Sequence, residues 1–507
     1  MSGFKRRRLI QTALAAAVLG ASGLAAAPAR IGGTLRAGLS GASATDSWDT
    51  RKITGGFMAA AAMAVFDTLT EIAADGSLRA ELATDWTASA DARIWDVTLR
   101  KGVRFHDGSE FGARDVLASL ALHKGGGSGA RPLVETIAKA DRLSDHRIRF
   151  TLAAGNADFP YLLADPQLLI YPASRISEAM AQGIGTGLYR VAAFEPGRRF
   201  VGTRVEGHYK DGSAGWFEAL EFHAMPDGAA RASALRSGQV DVIDRVAPSR
   251  AARLRDVPGL TVQQVSGNQF YGFAMQTGTA PFDARHIRQA LKHAIDRQAI
   301  LDAVLLGHGR IGADSPIGPL NHHDAALTAP AYDPDLAAWH LRQAGLSRLS
   351  VALHVSDSAF EGAPGAAQLY ANAASPAGIE IVPTGAQDAD WQDRPFRATA
   401  WSGRVTEDWM FSTALQHGAP WNESHWGMAQ SPRFQALLLE ARSELDSARR
   451  GGLYAEMQQI LRDEGGLLIP VFADHLSAVG ERIATPQTLG TARGLDNARM
   501  AERWWLA

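Results

Sequence analysis

The sequence predicts an α/β protein of two or more lobes, and two observations carry that prediction. Its 507 residues exceed what one hydrophobic core usually fills. Strand-like and helix-like stretches interleave along the chain with no repeat of roughly 20–50 residues, which excludes a solenoid or propeller array. Hydrophobic residues make up 46% and charged residues 21%, with a formal net charge of -2, so the chain has an ordinary globular balance and no basic footprint for nucleic acid.

The first 29 residues differ from the rest. Lys5, Arg6, Arg7 and Arg8 precede an apolar run from about Leu9 to Leu24, and Ala27-Pro28-Ala29 supplies small residues for cleavage, the order of a bacterial export signal. The run is shorter than the ~20 residues a membrane span needs, which disfavours the alternative of an N-terminal anchor. Arg6-Arg7 suits twin-arginine export, and the basic cluster also suits the general secretion route. The mature chain is expected from about Arg30, without a lipid anchor, because the sequence has no cysteine. Zero cysteines also exclude disulfides, thiolate metal sites and a cysteine nucleophile.

Along the mature chain, residues 32–39 alternate as a strand and residues 55–72 form a helix-like apolar run. In 95–111, Trp95, Val97 and Leu99 alternate with polar residues, as do Val103 and Phe105, and Asp107-Gly108 marks a turn, so a hairpin is expected. Residues 146–153 suggest a second strand pair, and 125–129 read as a flexible loop. Residues 283–307 predict one helix, with Asp283 as its cap, Ile287, Leu291 and Ile295 near one face, and Gly307 at its end. Residues 432–461 predict another, broken near Gly451-Gly452.

Motifs for catalysis fail on context. "GHGRIG" (307–312) has the spacing G-x-G-x-x-G but follows a helix, whereas a dinucleotide fingerprint follows a strand and opens a helix. "GIGTG" (183–187) reads as a turn before "LYRV". His322 and His323 are adjacent and do not share a helical face as zinc ligands would. There is no G-x-S-x-G and no P-loop. Glu407-Asp408 is a carboxylate pair, but sequence neighbours need not converge for acid/base work. No catalytic residue, metal or cofactor is assigned.

Several segments in order carry a resemblance. "ELATDWTASADARIWDVTLRKGVRFHDGSEFGARDV" (81–116), "GTGLYRVAAFEPG" (185–197), "ALRSGQVDVI" (234–243), "IRQALKHAIDRQAILDAVLLGHG" (287–309), "YDPDLAAWHLRQAG" (332–345) and "ARRGGLYAEMQQILRDEGGLLIPVF" (448–472) together resemble the family 5 periplasmic solute-binding proteins of ABC importers for dipeptides, oligopeptides and nickel complexes. Leu188 stands where that family usually has proline. The resemblance implies two α/β lobes joined by crossing strands, with ligand enclosed between them: a first lobe over 30–268 with an inserted subdomain at about 50–180, a second lobe over 269–465, and a C-terminal segment, 466–507, returning to the first. It also implies a small-molecule or peptide ligand, a monomer free in the periplasm, and delivery to an inner-membrane permease and its ATPase. Nickel-complex, haem or sugar binding on the same fold are alternatives, and an exported hydrolase is another of a different class.

Dipeptide-binding members resemble W-x-G-D at the pocket, where the aspartate takes the peptide's amino group; here the segment reads Trp401-Ser402-Gly403-Arg404. The inverted charge suits a carboxylate or phosphate, to which a guanidinium offers a fork of donors. Arg404 is thus expected either to meet an anionic group of the ligand, with Trp401 against its apolar part, or to be neutralised by Glu407 or Asp408. In the first case either carboxylate is a candidate for a ligand amine. Trp421 and Asn422 are further candidate lining residues, with Trp426 as lining or core, and Asn268 and Tyr271 lie on the strand leading into the second lobe.

Overall fold

The computed structural model describes residues 29–507 apart from Thr54, Gly126, residues 386–392 and Pro420. The basic and apolar stretch of the export-signal reading lies outside the described residues. Two large mixed sheets organise the chain. The first has seven strands in the order Leu260–Val265, His475–Gly480, Val242–Ile243, Thr34–Leu39, Ala219–Ala224, Arg199–Arg204, Tyr189–Glu195. The second has six, in the order Gly309–Ile311, Leu467–Ala473, Phe270–Met275, Phe396–Trp401, Leu349–Val355, Ile379–Gly385. A separate four-stranded sheet, Ala83–Ala88, Ile94–Leu99, Arg147–Leu152, Ile137–Ser144, shares one apolar core with the seven-stranded sheet. The six-stranded sheet has its own clusters, one centred on Phe273, Tyr370 and Phe396 and one on Phe411, Phe434 and Tyr454.

The chain passes between the large sheets twice with little slack. Leu260–Val265 pairs in the first sheet and Phe270–Met275 in the second; Leu467–Ala473 pairs in the second and His475–Gly480 in the first. The return therefore falls at Asp474, where sequence reading placed it at 466. All seven residues of Leu467–Ala473 are buried, as a central strand flanked on both faces requires.

Helix Gly56–Val65 shows why local composition serves packing. "GFMAAAAMAV" has no polar face, and Phe57 to Val65 are all buried, so the helix is wrapped on every side. The turn before Tyr189–Glu195 presses on its end: a Cβ on Gly187 would lie 2.6 Å from the Ala64 carbonyl oxygen, so only glycine fits there.

Three elements differ from the sequence reading. Ile94–Leu99 pairs with Ala83–Ala88 and Arg147–Leu152 instead of turning back on 103–105, because Ile148, Phe150 and Leu152 give it a longer buried face. Residues 103–111 close a tight turn of their own, with the Gly108 N–H donating to the Phe105 carbonyl at 2.8 Å. The stretch 283–307 is two helices, Arg285–His293 and Arg297–Ala303, because Asp296 caps the second by accepting from the Ala299 N–H at 3.0 Å. The stretch 432–461 breaks at 444–446, where Asp446 caps Ser447–Glu464, and that helix runs through both glycines.

A buried ion network ties the C-terminal segment to the first core. Lys210 Nζ reaches Asp67 at 2.8 Å, Glu81 at 2.7 Å and Glu502 at 3.0 Å, and Arg499 bridges Glu81 and Glu502 at 2.8 Å each. The three carboxylates lie close enough together to hold a metal ion, but the ammonium and guanidinium already occupy their oxygens. Burial alone would raise the pKa of Glu81, yet the charges of Arg499 and Lys210 override it and hold the carboxyl far below the usual range. Arg499→Leu leaves two buried carboxylates short of a partner and is predicted to cost about 3–5 kcal/mol of unfolding free energy, measurable by urea titration.

Candidate functional site: a cleft between the two lobes

Between the sheets lies a cavity of about 780 Å³. One wall comes from the first sheet's side, where Asp244 accepts from the Ser40 backbone N–H (2.9 Å) and hydroxyl (2.6 Å) and pairs with Arg231 at 3.4 Å. The opposite wall comes from the six-stranded sheet. There Tyr271 stacks on Phe360, with ring centroids 4.5 Å apart and planes at 7°, next to Trp401 and Ser402. A smaller cavity of about 60 Å³ adjoins it, sharing Ser402 and Arg493 and lined also by Gly403, Arg404 and Trp409.

The turn at 402–405 is built to aim one side chain. Strand Phe396–Trp401 ends at Trp401, and helix Glu407–Ala414 begins under a Thr406 cap, whose Oγ1 accepts from the Trp409 N–H at 3.3 Å. Gly403 has φ +74°, and a Cβ there would lie 2.5 Å from the Asn268 carbonyl oxygen. Asn268 donates to Asn321 Oδ1 (2.6 Å), and Asn321 Nδ2 donates to the carbonyls of Arg404 (3.0 Å) and Val405 (3.1 Å), pinning the turn from behind.

Arg404 is held between two indoles. Its Cζ lies 5.6 Å from the Trp401 ring centroid and 5.7 Å from that of Trp409, and Trp401 is itself fixed by Nε1–H donating to Glu423 at 3.1 Å. Its single protein hydrogen bond among the described residues is Nη1–H to the Gly403 carbonyl at 2.7 Å, and no carboxylate reaches ion-pair distance. Burial, reinforced by the charge of Arg493 and opposed by Asp165, lowers its pKa to about 10.

Glu407 and Asp408, the internal partners considered from sequence, point away from both cavities. Asp408 pairs with Arg442 at 2.8 Å and accepts from Asn156 at 3.3 Å. Glu407 accepts from the His323 N–H at 2.8 Å beside Asp158 and Arg450, which pair with each other at 3.0 Å. Tyr271, Trp401, Gly403 and Arg404 thus come together at the cleft, with Asn268 directly behind. Trp421 is 47% exposed, Asn422 caps its own turn by accepting from the Trp426 N–H at 3.0 Å, and Trp426 is in the core; none of the three lines either cavity. His322 and His323 hold no shared ligand position: His322 meets Ser447 and His323 packs on Tyr454.

Sequence reading missed the arginines contributed by other segments. Arg245 and Arg250 line the larger cavity and Arg493 lines both, each without a carboxylate partner among the described residues. Asp357, Glu361 and Asp474 lie on the same larger cavity, so its lining carries both charges. Arg493 precedes four consecutive left-handed residues, Leu495 to Ala498, with φ of 56–63°. "GLDN" signals a turn, since Asp and Asn tolerate that conformation, but nothing in it signals proximity to Arg404.

Comparison with known proteins places this architecture. Residues 77–423 match the family of bacterial extracellular solute-binding proteins, family 5. Di/tripeptide-binding protein 1 of Pseudomonas aeruginosa is 28% identical over 375 residues, 68% of this chain and 69% of that protein. Heme-binding protein A of Haemophilus influenzae is 24% identical over 76% of this chain and 77% of its own length. In fold, the chain is similar to DppA of Helicobacter pylori in complex with the peptide STSA (TM-score 0.80, 21% identity, 94% of this chain and 99% of that one). It is also similar to AgaA of A. tumefaciens R10 in complex with agropinic acid (TM-score 0.81, 22% identity, 94% and 99%).

Burial pushes the Glu407 carboxyl up to about 7, from an ordinary 4.5. A carboxyl with a raised folded-state pKa favours the folded state while protonated, so this group costs nothing below pH 4.5 and its penalty grows as pH rises to 7. Glu407→Gln keeps the acceptor for His323 and is predicted to be more stable than wild type at pH 8, by on the order of 2–3 kcal/mol, with no difference at pH 4; denaturant titrations at both pH values check this.

Proposed function

This chain belongs to the bacterial extracellular solute-binding proteins of family 5, which serve ABC importers, and we propose that it captures a small anionic solute, a peptide or amino-acid derivative, between its two lobes. The observation that carries the reading is Arg404: a largely buried guanidinium between Trp401 and Trp409, at the cleft, with no carboxylate partner among the described residues. Burying an unpaired charge costs several kcal/mol, and an anionic ligand group offsets that cost with charge-assisted hydrogen bonds. The indoles and the Tyr271–Phe360 stack offer apolar faces to the rest of the solute.

Relatives named for di- and tripeptides, and a fold neighbour holding agropinic acid, support a solute of this size and chemistry. Glu407 and Asp408 face elsewhere, so an amine on the solute would meet Glu361, Asp357 or Asp474 in the lining of the larger cavity. The first lobe in this reading comprises the seven- and four-stranded sheets and the second the six-stranded sheet, hinged at 266–269 and at Asp474. The protein acts as a periplasmic monomer after export, handing solute to an inner-membrane permease driven by its ATPase. Its task is binding without chemistry.

Native mass spectrometry of the mature protein purified without refolding tests the reading. Wild type is predicted to carry an anionic solute that Arg404→Gln loses, with affinity for the isolated solute falling about ten-fold or more. A neutral or metal-bearing solute retained by the variant overturns the proposal in favour of sugar, haem or nickel-complex binding.

A further inference from the structure

We infer that Arg404 and Arg493 form a two-lobe clamp for one anionic group of the solute, and that their mutual repulsion holds the empty lobes apart until that group arrives. The inference rests on the anionic-solute reading above and adds a second binding residue and a closure mechanism to it. Arg404 follows a strand of the six-stranded sheet. Arg493 belongs to the segment that follows the return to the seven-stranded sheet and is tied to the first core, where Asn497 Nδ2 donates to the carbonyls of Ile72 (3.4 Å) and Ala73 (3.3 Å). Each lobe therefore supplies one guanidinium to the same 60 Å³ cavity.

The third arginine on that cavity, Arg499, is consumed by Glu81 and Glu502, whereas Arg404 and Arg493 have no carboxylate at ion-pair distance among the described residues. They are near enough that the charge of Arg493 depresses the pKa of Arg404. Two like charges brought together as lobes close oppose closure, and an anion between them reverses the sign of that term. The small cavity suits a carboxylate or phosphate head, and it shares Ser402 and Arg493 with the larger one, which has room for the rest of the solute. Arg493 is presented rigidly: its N–H donates to Asn497 Oδ1 at 3.1 Å, and Asp496 Oδ1 accepts from the Gly490 N–H at 2.7 Å, which together brace the left-handed run. Non-glycine residues hold that conformation only where the surroundings over-determine it.

The absence of native cysteine makes the test direct. Glu218→Cys and Gln368→Cys, at exposed positions on opposite lobes, accept spin labels whose separation reports closure in the full-length mature protein stripped of solute. Inorganic phosphate is the probe, with chloride at equal ionic strength as control. Wild type is expected to move to the shorter distance with phosphate; Arg493→Gln is expected to populate it without phosphate and to bind phosphate about ten-fold or more weakly. Arg493→Lys, which keeps the charge, is expected to stay open when empty and to lose phosphate affinity, and thermal unfolding confirms that each variant is folded. A wild type that does not respond to phosphate, or an Arg493→Gln variant that is open when empty and responds like wild type, overturns the clamp. Native mass spectrometry separates the two readings: an anionic solute kept equally by wild type and Arg493→Gln but lost by Arg404→Gln removes only the clamp, while a neutral or metal-bearing solute kept by Arg404→Gln removes the anionic-solute reading as well.

Discussion

The desolvated charge of Arg404 is the constraint around which the cleft is arranged. A guanidinium leaving water loses hydration that two indole faces replace only in part, since a cation over a ring recovers a fraction of what a carboxylate would. The surroundings hold it there regardless. Gly403 lets the backbone turn tightly against Asn268, the Asn268–Asn321 pair locks the turn, and Glu423 fixes Trp401. The two nearest acids in sequence are turned the other way by helix Glu407–Ala414, one into an ion pair with Arg442 and one into a dry site where it is held largely by a backbone N–H. Unspent charge is left facing the small cavity beside the cleft.

That arrangement places the cleft between two sheets that the chain links twice. Only two short connections join the large sheets, at 266–269 and at Asp474, and they run side by side because Leu260–Val265 pairs with His475–Gly480 and Phe270–Met275 with Leu467–Ala473. Each lobe keeps a core of its own, and direct bonds tie them at one edge, where Arg450 pairs with Asp158 at 3.0 Å and Asn156 donates to Asp408 at 3.3 Å. The Lys210–Arg499 network welds the C-terminal segment to the first core, which makes Arg493 a fixed part of that lobe.

Much of this was legible in the chain. Alternation in 32–39 and 146–153 and the family-like segments in order gave the lobes, and the apolar run at 55–72 gave a helix that the structure ends at Val65, with a strand at Thr70–Ile72. The inverted charge in Trp401-Ser402-Gly403-Arg404 pointed to the cleft because a residue type incompatible with an amine partner is visible without coordinates. Less legible was which way neighbours point. Glu407 and Asp408 adjoin the turn in sequence, but 100° of helical rotation per residue, the pull of Arg442 and Asn156 on Asp408 and the His323 N–H on Glu407 carry them away from the cavity. Trp421 and Asn422 looked like pocket residues by type, and a local turn used one while solvent took the other.

The sequence by itself determined the class of architecture, the family and the sign of charge at residue 404, because periodicity, motif order and residue identity are local properties that one chain displays directly. Tertiary structure alone decided that this charge lacks an internal partner and that Arg493, 89 positions further along the sequence, lines the same small cavity. Those facts depend on long-range strand pairing at Asp474 and on the buried ions that anchor the last residues, and neither leaves a periodic trace in the residues concerned.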